Sequence, residues 1–161
     1  MSEEAVRGLT HVRADGSAHM VDVSAKAVTT REASAAGRVL VSRAVVDALR
    51  GHGVPKGDAL AVARIAGIQA VKRTPDLIPL AHPIAVHAVT VDLGVADDAV
   101  EITATVRTAD RTGIEMEALT AVAVAALTVV DMVKALDKHT RITDIRVTAK
   151  SGGRSGDWSA S

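Results

Sequence analysis

The sequence contains no cysteine, no phenylalanine and no tyrosine, and its one tryptophan, Trp158, stands near the C-terminus. Without cysteine, disulfides and thiolate metal sites are excluded. Without Phe or Tyr, the core must be built from Ala, Val, Leu and Ile. Such side chains bury little area each, and a large subunit interface would compensate. The shortage of aromatics also speaks against a sheet that reads RNA, because that task needs exposed rings for stacking. Charge of either sign is not in excess: Lys plus Arg and Asp plus Glu number 19 each, so the formal net charge is zero. No global field draws the chain to nucleic acid or to a membrane. The first eight residues, Met1 to Gly8, lack the basic and apolar regions of a signal peptide and read as a mobile leader, so the cytoplasm is the expected compartment. There is no internal repeat and no Gly-rich phosphate fingerprint.

What the chain does have is one long apolar stretch from Ile114 to Leu136. Its charges stand at the two ends, Glu115 and Glu117 at the start and Asp131 and Lys134 near the finish, with none from Ala118 to Val130. A helix apolar all round must be covered on every side, and this one falls short of the ~20 apolar residues that span a membrane. The 161 residues, 48% hydrophobic and 24% charged, fit a single domain. Around the long helix the expected elements are a strand within Val28–Ser42, best around Gly37–Val41, a helix from Arg43 to about Arg50 capped by Ser42 and stopped by Gly51 and Gly53, and a helix from Ala59 to about Lys72 capped by Asp58. Leu60, Ala63, Gly67 and Ala70 give the second helix a face for close packing. The proline-rich run Lys72–Pro83 reads as an ordered loop. Alternation at Val89–Val95 and at Val100–Val106, around Asp97-Asp98, predicts an antiparallel hairpin. A last strand covers about Ile142–Ala149, and a flexible Gly/Ser segment follows from about Lys150. The order of elements fits an α+β, ferredoxin-like antiparallel sheet with helices on one face.

Asp131 and Lys134, at i and i+3, share a helix face. An exposed ion pair is the ordinary meaning of that spacing, but the flanking valines and Met132 favour a partly buried acid–base pair. Thr112 and Glu115 match a capping box, which gives Glu115 a structural role. Glu117 has no such role and is the better functional candidate. Lys56, Lys72, Arg73, Lys150 and Arg154 sit in loops beside Gly or Pro, as fixed cations for a polyanion would. Pro83 aims His82 by restricting its backbone to extended geometry. No spacing of histidines or carboxylates indicates a metal site. Glu117 and Asp131 lie 14 residues apart, about 21 Å on an unbroken helix. If both ends of that helix serve one small ligand, a second chain must supply one of them.

Seven blocks of the sequence, taken together and in order, resemble the cyclic pyranopterin monophosphate synthase (MoaC) family of molybdenum-cofactor biosynthesis. They are Ala18–Lys26, Lys56–Asp58, Ala63–Ala70, Leu77–Pro83, Gly113–Thr120, Asp131–Lys134 and Ala149–Gly156. The resemblance spans about Leu9 to Trp158. It implies a ferredoxin-like lyase that converts a 3′,8-cyclo-dihydroguanosine triphosphate to cyclic pyranopterin monophosphate and releases pyrophosphate. It implies a homohexamer, a trimer of dimers, with the active site at the dimer interface. By similarity Asp131 and Lys134 are the catalytic pair, with Lys56 and Lys150 as further functional lysines, while Leu80, Ala81, His82, Met116, Glu117 and Glu115 contact substrate. Lys72 and Arg73 are expected to complement its triphosphate. Ala81 stands where many members carry cysteine, which leaves a backbone contact but no thiol role. No cofactor is expected, and assistance by Mg²⁺ stays open. The competing expectations are a non-catalytic nucleotide- or RNA-binding module and a metal-dependent phosphohydrolase.

Overall fold

The computed structural model describes residues 10–51 and 54–160, so the expected leader and Gly53 lie outside the described residues. The strands are β1 (Thr29–Leu40), β2 (Ala88–Val95), β3 (Ala99–Asp110), β4 (Arg141–Ser151) and β5 (Trp158–Ser159). The helices are α1 (Arg43–Arg50), α2 (Ala59–Val71), α3 (Thr74–Leu77) and α4 (Glu115–Val133). The sheet order is β2-β3-β1-β4-β5 with every pairing antiparallel. This is an α+β fold in which β3 is inserted between β1 and β2.

The core follows from the period-two alternation of the strands. Ala33, Ala35 and Val39 of β1 and Ile102, Ala104 and Val106 of β3 are buried on the face that α4 covers. By length and composition the 19 residues of α4 suffice to cross a membrane, contrary to the expectation that they fall short, but Ala118, Ala121, Val122, Ala125, Ala126, Val129 and Val133 are buried in the fold, so its apolar length is explained by packing. Small residues set the spacing. A Cβ at Gly67 of α2 would stand 3.0 Å from the Ala121 carbonyl oxygen and 3.3 Å from Ala125 Cβ. Gly67→Val is therefore expected to destabilise the fold by about 2 kcal/mol, which urea denaturation would measure.

Several expectations are corrected. The first strand lies within the expected Val28–Ser42 but fills most of it, beyond the segment around Gly37–Val41 that reads best as strand, because its partners β3 and β4 lie far along the chain and leave no local signal. Pro75 does not exclude a helix in the proline-rich run: it sits in the first turn of α3, where a missing N–H costs nothing. Ser42 occupies the N-cap position of α1, but its side chain makes no capping bond; its backbone N–H donates to Asp137 Oδ2 at 2.9 Å. Asp58 does cap α2, accepting from the Ala61 N–H at 3.0 Å. The expected capping box of α4 does not form. The N-cap residue is Ile114, and the Glu115 carboxylate goes to Lys150 instead. Beyond Ser151 the chain turns back, and Trp158–Ser159 pairs with Lys150 and Ala149.

Candidate active site

Two clusters of candidate site residues lie at opposite ends of α4. The N-terminal end opens onto a cavity of about 870 Å³. Its lining includes Leu80, Ala81 and His82 from the loop before β2, Glu115, Met116 and Glu117 from the first turn of α4, and Lys150 from β4. The candidate substrate segments and one of the candidate lysines thus meet at one cavity. Lys150 Nζ lies 3.3 Å from Glu115 Oε1 and donates to Ser155 Oγ at 2.5 Å. Gly113 leaves room for the Glu115 carboxylate, which would collide with a Cβ there. His82 Nε2 lies 2.6 Å from the Val21 carbonyl. A carbonyl only accepts, so Nε2 carries hydrogen, and Nδ1 of the neutral ring has its lone pair free. The Ala81 N–H is already spent on the Ile78 carbonyl at 3.1 Å, so any backbone contact to a ligand falls to its carbonyl.

Glu117 is 3% exposed. Burial pushes its carboxyl up to about 7, its own backbone N–H works in the other direction, and the neighbouring Glu115 adds to the rise. The start of a helix favours a carboxylate, but desolvation outweighs it here. The folded chain therefore binds this proton more tightly than the unfolded chain. Its contribution to stability is complete below pH 4.5, declines as pH rises to 7, and is lost above that. Because the open cavity admits some water, the loss is at most about 3 kcal/mol. Glu117→Gln, which cannot ionise, is expected to stand up to urea better than the wild type at pH 8, with the gap closing by pH 5.

Arg154, one of the fixed cations read from the sequence, also lines the cavity, as do Lys26, Arg31 and His11, which were not among the sequence-derived site residues. Arg31 illustrates why. It lies on β1, its Nε donates to the Asp110 carbonyl at 3.2 Å, and Gly152 and Gly153 fold around it with φ of +81° and +82°. The adjacent glycines were the available signal, since positive φ and close approach are what glycine permits.

The second cluster holds Lys56, Asp131 and Lys134. Pro55 and Gly57 shape the turn Val54–Gly57, closed by the Gly57 N–H to the Val54 carbonyl at 2.9 Å, with Lys56 at its tip. Lys56 Nζ and Lys134 Nζ both donate to Asp131 Oδ1, at 3.0 and 2.7 Å. The Lys134 hydrogen bond, then that of Lys56, holds the Asp131 carboxyl below its ordinary range, so it stays ionised at neutral pH. The expected partial burial is corrected: in one chain the Asp131 and Lys134 side chains are 54% and 59% exposed. Lys72 and Arg73 join neither cluster. Lys72 caps the end of α2, and Arg73 forms an exposed pair with Asp76 at 3.6 Å.

Residues 20–153 match the model of the MoaC family. The chain belongs to the MoaC family. A cyclic pyranopterin monophosphate synthase of Streptomyces griseus is 73% identical over 150 residues, which cover 93% of this chain and 85% of that protein. One from Streptomyces coelicolor is 71% identical over 95% of this chain and 90% of its own length. One from Nocardioides is 67% identical over 95% of this chain and 96% of its own length. Both ends of α4 fall within the matched region of this MoaC-family chain.

Proposed function

We propose that the cavity at one end of α4 and the Lys56–Asp131–Lys134 cluster at the other are the two parts of one active site, joined when two copies of the chain associate. The chain is a cyclic pyranopterin monophosphate synthase, a lyase of molybdenum-cofactor biosynthesis. It converts (8S)-3′,8-cyclo-7,8-dihydroguanosine 5′-triphosphate to cyclic pyranopterin monophosphate and releases pyrophosphate. The observation that carries the shared site is the length of α4. Glu115 and Asp131 are 16 residues apart on an unbroken helix, about 24 Å, so neither cluster reaches the other's ligand within one chain. The exposure of Asp131 and Lys134 fits a surface that a second copy covers.

In the cyclisation a hydroxyl oxygen attacks the α-phosphorus, the bond to the bridging oxygen breaks, and pyrophosphate leaves. Lys26, Arg31, Lys150 and Arg154 offset the charge of the triphosphate and of the departing group. Lys134 and Lys150 serve as the acid–base groups, one taking the attacking hydroxyl's proton and the other supplying one where charge builds. Asp131 orients Lys134, and Lys56 and His82 hold substrate. The enzyme works in the cytoplasm as a hexamer, a trimer of dimers, and the residues present meet these needs without a cofactor. An RNA-binding module is disfavoured by the cavity wall, which contains no Phe, Tyr or Trp ring.

The test is turnover by the purified full chain, with pyrophosphate and the cyclic monophosphate quantified separately. Equal amounts of the two, undiminished by a chelator, are expected. Failure to form either product would sink the assignment.

A further inference from the structure

No residue of the N-terminal arm, Thr10 to Val28, is buried, so apolar packing does little to fix the arm against the fold. Its shape comes from its own turns. The Ser24 N–H donates to Asp22 Oδ1 at 2.8 Å, and the Lys26 N–H donates to the Val23 carbonyl at 3.0 Å, which closes a turn over Val23–Lys26. Among the described residues, two hydrogen bonds join the arm to the rest of the fold. One runs from His82 Nε2 to the Val21 carbonyl. The other runs from Arg111 Nε to the Lys26 carbonyl at 3.0 Å. Lys26 lines the cavity, whereas Arg111 stands outside it.

Arg111 is mounted on a fixed base. It follows Asp110, the last residue of β3, which lies opposite Thr29 in the ladder with β1. The Asp110 carbonyl accepts from Arg31 Nε at 3.2 Å. The Asp110 carboxylate accepts from the Ala85 N–H at 3.3 Å and from the Arg111 N–H at 2.7 Å. The backbone at Arg111 is thus tied to β1 and to the loop that carries His82, and its guanidinium reaches from there to the arm. Both Arg111 and Lys26 are exposed, so their bond adds little to global stability. A segment without buried contacts opens at low free energy, and a single bond of this kind decides where it rests.

We propose that Arg111 is a positioning residue: by holding the Lys26 carbonyl it seats the turn Val23–Lys26 and keeps the Lys26 ammonium at the cavity. This rests on the assignment of a triphosphate as substrate, whose charge Lys26 offsets. Arg111 itself does not touch substrate. Without its bond the turn is seated for only part of the time, and Lys26 contributes in proportion to that fraction. The contact uses one donor, Nε, so it does not need the forked geometry of a guanidinium. A lysine ammonium at this position can donate to the same carbonyl.

A double-mutant cycle on the full chain tests this, with kcat/KM and the melting temperature measured for Arg111→Met, Lys26→Met and the two together. Arg111→Met is expected to lower kcat/KM about fivefold, the scale of one exposed hydrogen bond, with the melting temperature nearly unchanged. Lys26→Met is expected to lower it about 10-fold or more, since a charge-assisted contact to phosphate is lost. In the Lys26→Met background Arg111→Met should cost less than about 1.5-fold, because no ammonium is left to place. Arg111→Lys should return kcat/KM to within about twofold of the wild type. Losses that multiply in the double variant would give Arg111 a phosphate contact of its own and overturn the inference. Wild-type kcat/KM in Arg111→Met, or an Arg111→Lys variant no better than Arg111→Met, would overturn it equally. Each of these results leaves the enzyme assignment intact. Absence of turnover in the wild type itself would remove that assignment and the inference with it.

Discussion

Lys134→Ala is expected to lower turnover by about 10³-fold, within the range for loss of a positioned acid–base group, while leaving the melting temperature nearly unchanged. The separation of the two effects follows from geometry. Lys134, Lys56 and Asp131 meet at one carboxylate oxygen but are largely exposed in the single chain. Exposed ion pairs contribute little to stability, so a large loss of activity without loss of fold assigns the cluster to chemistry. Lys134→Arg should not restore the rate, because a guanidinium keeps the charge but cannot give up its proton at working pH. Steady-state kinetics beside a thermal melt would decide it. Full activity in Lys134→Ala would remove the lysine from the mechanism.

Gly152→Ala is expected to be the most damaging methyl group that can be added to the site. Gly152 has φ +81°, and a Cβ there would collide with the Thr30 carbonyl oxygen and stand 3.3 Å from Arg31 Cα. Both contacts are to backbone, so neither can yield by a rotamer change. The strain of the left-handed region adds about 1–2 kcal/mol, and the collision must be relieved by moving the turn. That turn carries Arg154 and Ser155 and is tied down by the Gly152 N–H to Asp157 Oδ1 at 3.0 Å. We expect a cost of about 3 kcal/mol in stability and a fall of 10-fold or more in kcat/KM, about 1.4 kcal/mol of transition-state binding. By contrast Gly156, with φ +71° but open space around it, should tolerate alanine with strain alone.

How much of this was legible in the sequence depended on range. The long helix, the hairpin at Asp97-Asp98 and the Asp58 cap are local patterns, and each appears where its residues place it. The seven blocks brought the family and most candidate residues with them. The misreading of Thr112 and Glu115 has a physical cause. A capping box competes with any stronger partner for the carboxylate, and here Lys150, from β4, wins it. Arg31 and Lys26 were missed because the pairing of β1 with both β3 and β4, and the path of the N-terminal arm, bring them to the cavity from remote positions. The exposure of Asp131 and Lys134 could not be read from their valine neighbours, since Val129 and Val133 are buried in the core while the charged pair one or two positions away is exposed.

The central claim is that the two ends of α4 serve one site through two chains, and mixed oligomers test it most directly. Lys134→Ala and Lys150→Ala chains, each nearly inactive alone, are unfolded together in equal amounts and reassembled. In a two-fold dimer of one chain of each kind, one site receives both intact ends and the other receives both defects. Random assortment then restores about one quarter of wild-type activity per chain. Recovery at that level is the predicted result. Activity no higher than the average of the two separate variants would show that each site is built within a single chain, and would contradict the account.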